Sequence, residues 1–160
     1  MSRELSKPIN HLGNIGLLNN YKIGFLCSRK VPASIILKTY DWAIEQRDKG
    51  TCIVSGFHSK IEKDVFDILI KGKQPIIMVQ ARGMKTRWEP EIKNLIEENR
   101  LLIISVFPPG IKRITEETAK KRNELIAEIS DKIFIPYCQK EGSIAQLISK
   151  IENENRILSI

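Results

Sequence analysis

The sequence predicts an α/β protein built on a mainly parallel sheet with helices on both of its faces. Short runs of β-branched and aliphatic residues alternate with longer amphipathic segments. The runs are apolar throughout, which is typical of strands that are buried on both faces. The length of 160 residues suits one domain, whereas a closed barrel of eight parallel strands needs ~250 residues. We therefore expect an open, doubly wound, Rossmann-like fold.

Five apolar runs predict the buried strands, and each is followed by a segment with helical periodicity. The predicted strands are residues 21–27, 51–55, 75–79, 101–105 and 132–135, with an edge strand over 156–160. The predicted helices are residues 34–49, 59–71, 89–99, 115–130 and 143–153. Gly50 and Gly72 stop the first two helices, and Pro90 suits the first turn of the third. We assign residues 1–20 to an N-terminal extension and residues 21–160 to a single domain.

Composition limits the kinds of binding partner and the cellular compartment that we expect for the protein. The chain carries 26 Lys and Arg against 19 Asp and Glu, a net charge of +7, which permits a polyanionic partner such as DNA, RNA or a nucleotide. The three cysteines are widely spaced, which argues against a disulfide framework or a zinc site and favours a reducing cytoplasm. No apolar stretch approaches the ~20 residues that span a bilayer, and the first residues lack the apolar block of a signal peptide. We predict a cytoplasmic protein with no cofactor, no metal and no membrane partner.

Ligands of such a sheet bind outside the carboxyl ends of the strands. The candidate residues there are Ser28, Arg29, Lys30, Ser55, Gly56, Pro109, Gly110, Gly142 and Ser143, joined by Arg122 and Asn123 of the fourth helix. Small residues before a helix leave backbone N–H groups free for an anion, and Arg29 and Lys30 add charge. The alternative is that the Ser and Gly residues are simple helix caps and Pro109-Gly110 a turn. Asn123 is unfavourable inside a helix unless its amide has a role.

The loop over residues 80–88 predicts a second basic surface. It combines three cations with a glycine and a tryptophan, and the fourth helix and its approach add further cations. The residues of this basic rim are Arg82, Lys85, Arg87, Trp88, Lys112, Arg113 and Lys121. Backbone-directed cations beside an aromatic ring hold single strands without reading sequence. The alternative is a solvated loop in which Trp88 folds back as the apolar anchor of the next helix.

The sequence gives little support for ATP hydrolysis, redox chemistry, metal binding or a reactive thiol. The sequence has neither a Gly-x-x-x-x-Gly-Lys-Ser loop nor a Gly-x-Gly-x-x-Gly turn, which argues against ATP hydrolysis and dinucleotide redox chemistry. His11 and His58 lack carboxylates at the spacing of metal ligands. Cys27 either has a pKa lowered by Arg29 and Lys30 or is a small buried residue, and the second alternative is favoured.

Five short motifs follow one another between Tyr21 and Ser149. They are Cys27-Ser28-Arg29, Ser55-Gly56 with Ile61-Glu62, Phe107-Pro108-Pro109-Gly110, Arg122-Asn123 with Ile126-Ala127, and Gly142-Ser143. In this order they resemble motifs of the DNA-processing protein A (DprA/Smf) family, namely Gly-Ser-Arg, Ser-Gly-x-x-x-Gly-Ile-Asp, aromatic-Pro-Pro-Gly, Arg-Asn-Arg-Ile-Ile-Ala and Ser-Gly-Ser. The chain departs from these motifs at Cys27, Lys60, Glu62 and Glu124, where the family has Gly, Gly, Asp and Arg.

The resemblance implies a Rossmann domain that binds single-stranded DNA, forms homodimers and helps to load a recombinase during natural transformation. We therefore expect non-catalytic binding of single-stranded DNA, or alternatively of a nucleotide or nucleotide derivative, through a phosphate-binding pocket at the carboxyl edge of the sheet. The wider superfamily includes cytokinin-activating phosphoribohydrolases, which depend on a Pro-Gly-Gly-x-Gly-Thr-x-x-Glu turn. Residues 135–149 lack this turn, so a hydrolase that uses Glu62 or Glu141 is the least favoured alternative.

Overall fold

The computed structural model describes residues 8–151 and 154–160. It contains a seven-stranded sheet in the order β1-β5-β4-β3-β2-β6-β7. The strands are β1 (Asn10–Gly13), β2 (Lys22–Phe25), β3 (Cys52–Ser55), β4 (Ile76–Val79), β5 (Leu101–Ser105), β6 (Lys132–Phe134) and β7 (Ile157–Leu158). Strands β1 and β5 pair antiparallel, and the other five pairs of neighbours are parallel. The mainly parallel sheet that the apolar runs predict is therefore confirmed.

Helices cover both faces of the sheet, as expected. They are α1 (Ala33–Lys49), α2 (Lys60–Leu69), α3 (Pro90–Glu97), α4 (Glu116–Ile129) and α5 (Ser143–Ser149), and short 3-10 helices occupy Ile15–Asn19 and Glu154–Arg156. One apolar cluster joins Ala43, Val65 and Ile92 of α1, α2 and α3 to the sheet. A second joins Ile126 and Ile144 of α4 and α5 to the opposite face. Neighbouring strand residues alternate between the two clusters, which is why the strands are apolar throughout.

Local sequence explains where the helices begin and end. Gly50 adopts a left-handed conformation (φ 77°) and closes α1, a geometry that glycine adopts at no steric cost. Ser59 and Glu62 form a reciprocal capping box at the start of α2, and Pro90 occupies the first turn of α3, a position that suits proline. Thr115 and Thr118 cap α4 in the same reciprocal way. No described helix is long and apolar enough to cross a membrane.

Two elements differ from the sequence-based expectation. Residues 10–13, which lie in the predicted N-terminal extension, form the edge strand β1. Helix α5 ends at Ser149 rather than at residue 153; residues 152 and 153 lie outside the described part. Strand β1 has no apolar run of its own, since it contains Asn10 and His11. It pairs with β5, a strand from a distant part of the chain, and its Leu12 packs against the apolar cluster under α1 to α3.

The order of the strands reverses at β2. From β2 the chain adds β3, β4 and β5 on one side and then returns to place β6 on the other. Such a reversal opens a crevice at the carboxyl ends of the two strands beside it. Gly24 lies in β2 at this point, and a Cβ there would be 2.7 Å from Ser130 Oγ and 2.9 Å from Ile126 Cγ2. The absence of a side chain at Gly24 therefore allows α4 to pack closely on β2.

Candidate nucleic-acid interface

A cleft of about 920 Å³ opens at the reversal point. We call it the first cleft. Its lining includes six of the predicted site residues, namely Ser28, Arg29, Arg122, Asn123, Gly142 and Ser143. These residues come from the turn after β2, the middle of α4 and the beginning of α5. The fold therefore brings together groups that are more than a hundred positions apart in the chain.

A second cleft of about 560 Å³ lies beside the first. His58, Ile114 and Arg122 line both clefts. Of the predicted basic rim, the second cleft contains Arg82, Lys85, Trp88 and Lys112, and Lys63 adds another cation. Arg87, Arg113 and Lys121 are exposed and line neither cleft. Lys121 instead forms an ion pair with Glu117 at 3.5 Å.

Arg122 lies at the junction of the two clefts, although only 7% of its surface is exposed. Its side chain lies over Gly56, where a Cβ would be 2.8 Å from its Cδ, Nε and Cζ atoms. Its one hydrogen bond to the described residues runs from Nε to Asn123 Oδ1 at 3.2 Å, which gives the helix-interior Asn123 a role. Burial lowers the pKa of the guanidinium and so does Arg29, whereas Glu62 opposes them; an arginine nevertheless keeps its charge at neutral pH.

Several backbone N–H groups around the first cleft already donate hydrogen bonds within the protein. Ser28 N–H donates to the Tyr137 carbonyl at 3.2 Å. The N–H groups of His58 and Ser59 both donate to Glu62 Oε1, at 2.9 and 3.1 Å. The Gln139 N–H donates to Ser28 Oγ at 2.7 Å. These N–H groups are not free for an anion, whereas the first turn of α5, which also lines the cleft, has no side-chain cap.

Four predicted site residues occupy positions outside the clefts or below their surface. Ser55 is fully buried. Its hydroxyl donates to the Phe25 carbonyl at 3.0 Å and so joins β3 to β2. Lys30, Pro109 and Gly110 are exposed and line neither cleft. Gly56 lines the second cleft, and its importance lies in the space it leaves for Arg122.

Cys27 is the small buried residue that the sequence favours. Burial raises the pKa of its thiol to about 12, and Glu62 adds to the rise. The alternative of a pKa lowered by Arg29 and Lys30 is wrong, because the thiol lies in the apolar cluster under α1 to α3. Among the described residues, no group of three or more His, Cys, Asp or Glu side chains could hold a metal ion.

Trp88 folds back against the apolar cluster beneath α1 to α3, as one of the two alternatives predicts. Its indole Nε1 is buried without an acceptor among the residues that the structure describes. The ring also lines the second cleft, and Lys85 Nζ lies 5.2 Å from its centroid. The ring thus anchors the loop while it remains part of the cleft.

Sequence reasoning missed His58 and Lys63 as cleft residues. His58 follows β3 directly, in one of the loops where a parallel sheet places binding residues, but the predicted site ends at Gly56 in that loop. Lys63 lies on α2 and carries no motif. Its place in the second cleft depends on how α2 packs beside the loop over residues 80–88. This packing cannot be predicted from the local sequence pattern.

A mainly parallel, doubly wound sheet with a cleft at its reversal point defines a Rossmann-like domain. The family model described as DNA recombination-mediator protein A matches residues 5–159, and the chain belongs to that family. No curated protein matches the chain.

Two solved structures of similar fold come from bacterial DNA processing proteins A. The Helicobacter pylori protein is 20% identical with a TM-score of 0.73, over 97% of this chain and 74% of that one. Its structure is described as showing a single-stranded DNA binding mode. The Streptococcus pneumoniae protein is 19% identical with a TM-score of 0.75, over 94% of this chain. This chain spans about half of the S. pneumoniae chain, 54% of its length.

Proposed function

We propose that the protein binds single-stranded DNA without bond chemistry, by holding phosphates in the first cleft. One observation carries the proposal: Arg122 is almost buried at the junction of two clefts, yet forms no ion pair with a carboxylate of the described residues. Glu62 attracts the guanidinium without forming an ion pair with it, and a buried charge that lacks a direct partner is costly. A phosphate would supply that partner, because guanidinium groups bind phosphate oxygens in pairs of hydrogen bonds. The ligand described for the H. pylori protein is consistent with this choice.

The charges around the first cleft favour a backbone ligand over a highly charged small anion. Arg29 and Arg122 line the cleft together with Glu116 and Glu117 from the first turn of α4. Glu117 is partly neutralised by Lys121. Two guanidinium groups suit successive phosphates with one charge each, whereas the nearby carboxylates would repel a compact triphosphate. The second cleft then receives the next nucleotides along a row of cations that includes Lys63, Arg82 and Lys112.

We expect the protein to bind a ~30-nucleotide single strand with an affinity that falls steeply as salt rises, because binding releases counterions. Arg29→Ala and Arg122→Ala each remove one phosphate contact. Each should weaken binding and make the log–log salt dependence shallower by about 0.7. Fluorescence anisotropy at several salt concentrations measures both quantities.

Lys71→Ala is the matched control, because Lys71 lies at the opposite end of the sheet, beside the ends of α1 and α2. It removes the same charge and should leave the salt slope unchanged. Failure to bind at micromolar protein and low salt would overturn the proposal. Equal slopes in the two arginine variants and the wild type would place the DNA elsewhere.

The size of the first cleft favours a nucleotide or nucleotide derivative as a second candidate. Its volume of about 920 Å³ lies within the range of ~300–1,000 Å³ of small-molecule sites. A nucleotide that binds the folded state should raise the melting temperature, and a thermal-shift panel measures this. A shift with a nucleotide and no DNA binding would favour this candidate. Glu62 is committed to capping α2 and Glu141 lines neither cleft, so we do not propose a hydrolase.

Family membership also supports a place in DNA uptake or recombination. We propose a cytoplasmic homodimer that cooperates with a recombinase. Sedimentation velocity at micromolar concentration tests the dimer, and a single species of 18.3 kDa would overturn it.

A further inference from the structure

We propose that His58 is a third phosphate-contacting residue and that it takes up a proton when DNA binds, so that affinity rises as pH falls. The inference rests on the proposed function, since it concerns the same two clefts. Nothing in the family motifs assigns a role to this position. It depends on where the histidine lies and on the charges that surround it.

His58 lies at the junction of the clefts. Together with Arg122 it lines both of them. Phe57 before it has a left-handed backbone conformation (φ 49°), and its buried ring packs against Phe66 at 4.9 Å between centroids. The N–H of His58 is held by Glu62 Oε1. The backbone of His58 is therefore fixed on both sides, while the residue itself is exposed.

The imidazole makes no hydrogen bond or ion pair with the described residues, so both of its ring nitrogens are available to a ligand. A neutral imidazole can donate one hydrogen bond to a phosphate oxygen. A protonated imidazole donates from both nitrogens and adds a charge–charge attraction. Binding of phosphate must then favour the protonated form, which is the origin of the coupling.

The surroundings of His58 disfavour its protonated form in the empty cleft. Although His58 is exposed, the partial burial of its ring lowers its pKa. Arg122 of α4, Lys63 of α2 and Arg29 of the β2 turn lower it further, while Glu62 opposes them. The remaining charged groups of the first cleft are Glu116, Glu117 and Lys120. Those of the second cleft are Arg82, Lys85, Glu89, Glu91 and Lys112. A DNA phosphate would neutralise the nearby cations and reverse their effect on the imidazole.

Thermodynamic linkage gives the direction of the coupling between protonation of His58 and binding of DNA. The pKa of His58 is low in the free protein and higher in the complex, so the complex binds more protons. Affinity therefore increases as pH falls through the bound-state pKa and becomes constant below the free-state pKa. Each unit of difference between the two pKa values corresponds to a tenfold change in affinity. We expect the affinity to rise roughly three- to tenfold as His58 becomes protonated.

The experiment is a titration of a ~30-nucleotide single strand by anisotropy from about pH 8 to about pH 5.5 at constant ionic strength. Wild-type protein should bind roughly three- to tenfold more tightly at the lower pH. His58→Gln should remove this dependence. His58→Lys, which keeps a permanent charge, should bind equally at every pH. The matched control is His11→Gln, because His11 lies on β1 and lines neither cleft.

Proton NMR of the imidazole C2–H resonances supplies a second readout. The chain has two histidines, so His11→Gln assigns the remaining signal to His58. The midpoint of this signal should shift to higher pH when DNA is added. An unchanged midpoint, or a pH dependence that persists in His58→Gln, would overturn the inference. Absence of DNA binding at every pH would instead overturn the proposed function on which it rests.

Discussion

At the scale of single residues, the site depends on Gly56, which has no side chain, as much as on the charged Arg122. Arg122 reaches the junction of the two clefts by lying over Gly56. The motif around Arg122-Asn123 and the glycine after β3 are both visible in the sequence, and the structure brings them into contact. The burial of Ser55 cannot be predicted from the sequence, because its hydroxyl donates to the carbonyl of Phe25, thirty positions earlier in the chain. Local patterns thus indicate which residues meet, and only the fold decides which of them reach the surface.

Gly56→Ala tests the contact between Gly56 and Arg122. The new Cβ would lie 2.8 Å from three atoms of the arginine side chain, so the guanidinium must move. We expect a loss of DNA affinity similar to that of Arg122→Ala, with a melting temperature close to that of the wild type, because the displaced group is flexible.

Anisotropy and thermal denaturation measure these two effects. Gly110→Ala is the matched control, since a Cβ there meets nothing within 4 Å and Gly110 lines neither cleft. Normal binding by Gly56→Ala would show that the position of Arg122 is unimportant.

At the scale of elements, the loop between β4 and α3 connects the core to the second cleft. The Gly83 N–H donates to the Ile111 carbonyl at 2.7 Å, and Trp88 anchors the other end in the apolar cluster. Lys85 covers the indole ring, a contact worth ~0.5–1 kcal/mol at an exposed site. Stacking of a base on an aromatic ring is worth ~1–3 kcal/mol. A nucleobase would therefore displace Lys85, which would then be free to contact a phosphate.

Tryptophan fluorescence tests this displacement. The chain has two tryptophans, and Trp42 stacks on Phe134 at 4.1 Å and Phe25 at 5.6 Å between centroids, away from the clefts. In the Trp42→Phe variant all indole emission comes from Trp88. We expect saturating single-stranded DNA to quench it by stacking, and an abasic strand of equal length to quench it less. Equal quenching by both strands, or none, would show that the bases do not reach this ring.

The elements themselves differ in how far the sequence predicts them. The five central strands are predictable because burial on both faces requires unbroken apolar runs. The helix ends are predictable where one residue decides them, as at Gly50 and Pro90. Strand β1 is not predictable from the sequence, because it contains polar residues and is stabilised by its pairing with β5. The second cleft is also not predictable in full, since Lys63 enters it only through the packing of α2.

At the scale of the whole molecule, the N-terminal segment is part of the sheet. Lys22 is only 2% exposed, and its ammonium group donates to the carbonyls of Leu18 and Asn20 at 2.8 and 2.9 Å. Asp131 lies 3.6 Å from the same nitrogen. The segment therefore satisfies a buried charge in β2, and it also covers the edge of β5.

A chain that begins at Tyr21 should be less stable without losing its site. It would lose the burial of Leu17 and two acceptors of Lys22, which together contribute about 3 kcal/mol or more. The melting temperature should fall by roughly 10 °C, as calorimetry would measure. DNA affinity well below that temperature should be unchanged, because residues 8–20 line neither cleft. A chain that begins at Pro8 is the control. Equal melting temperatures of the two would show that the segment is dispensable.

The close packing of α4 on β2 makes the geometry of the binding site sensitive to a position that no ligand touches. Gly24 lies in the middle of the sheet, and any larger residue there would collide with Ser130 and Ile126. Since Arg122 is carried by the same helix, lifting that helix would move the guanidinium away from Gly56 and from the junction of the two clefts. Laboratory variants of this protein selected for altered DNA preference should therefore retain glycine at position 24, even when every residue that faces solvent has been exchanged.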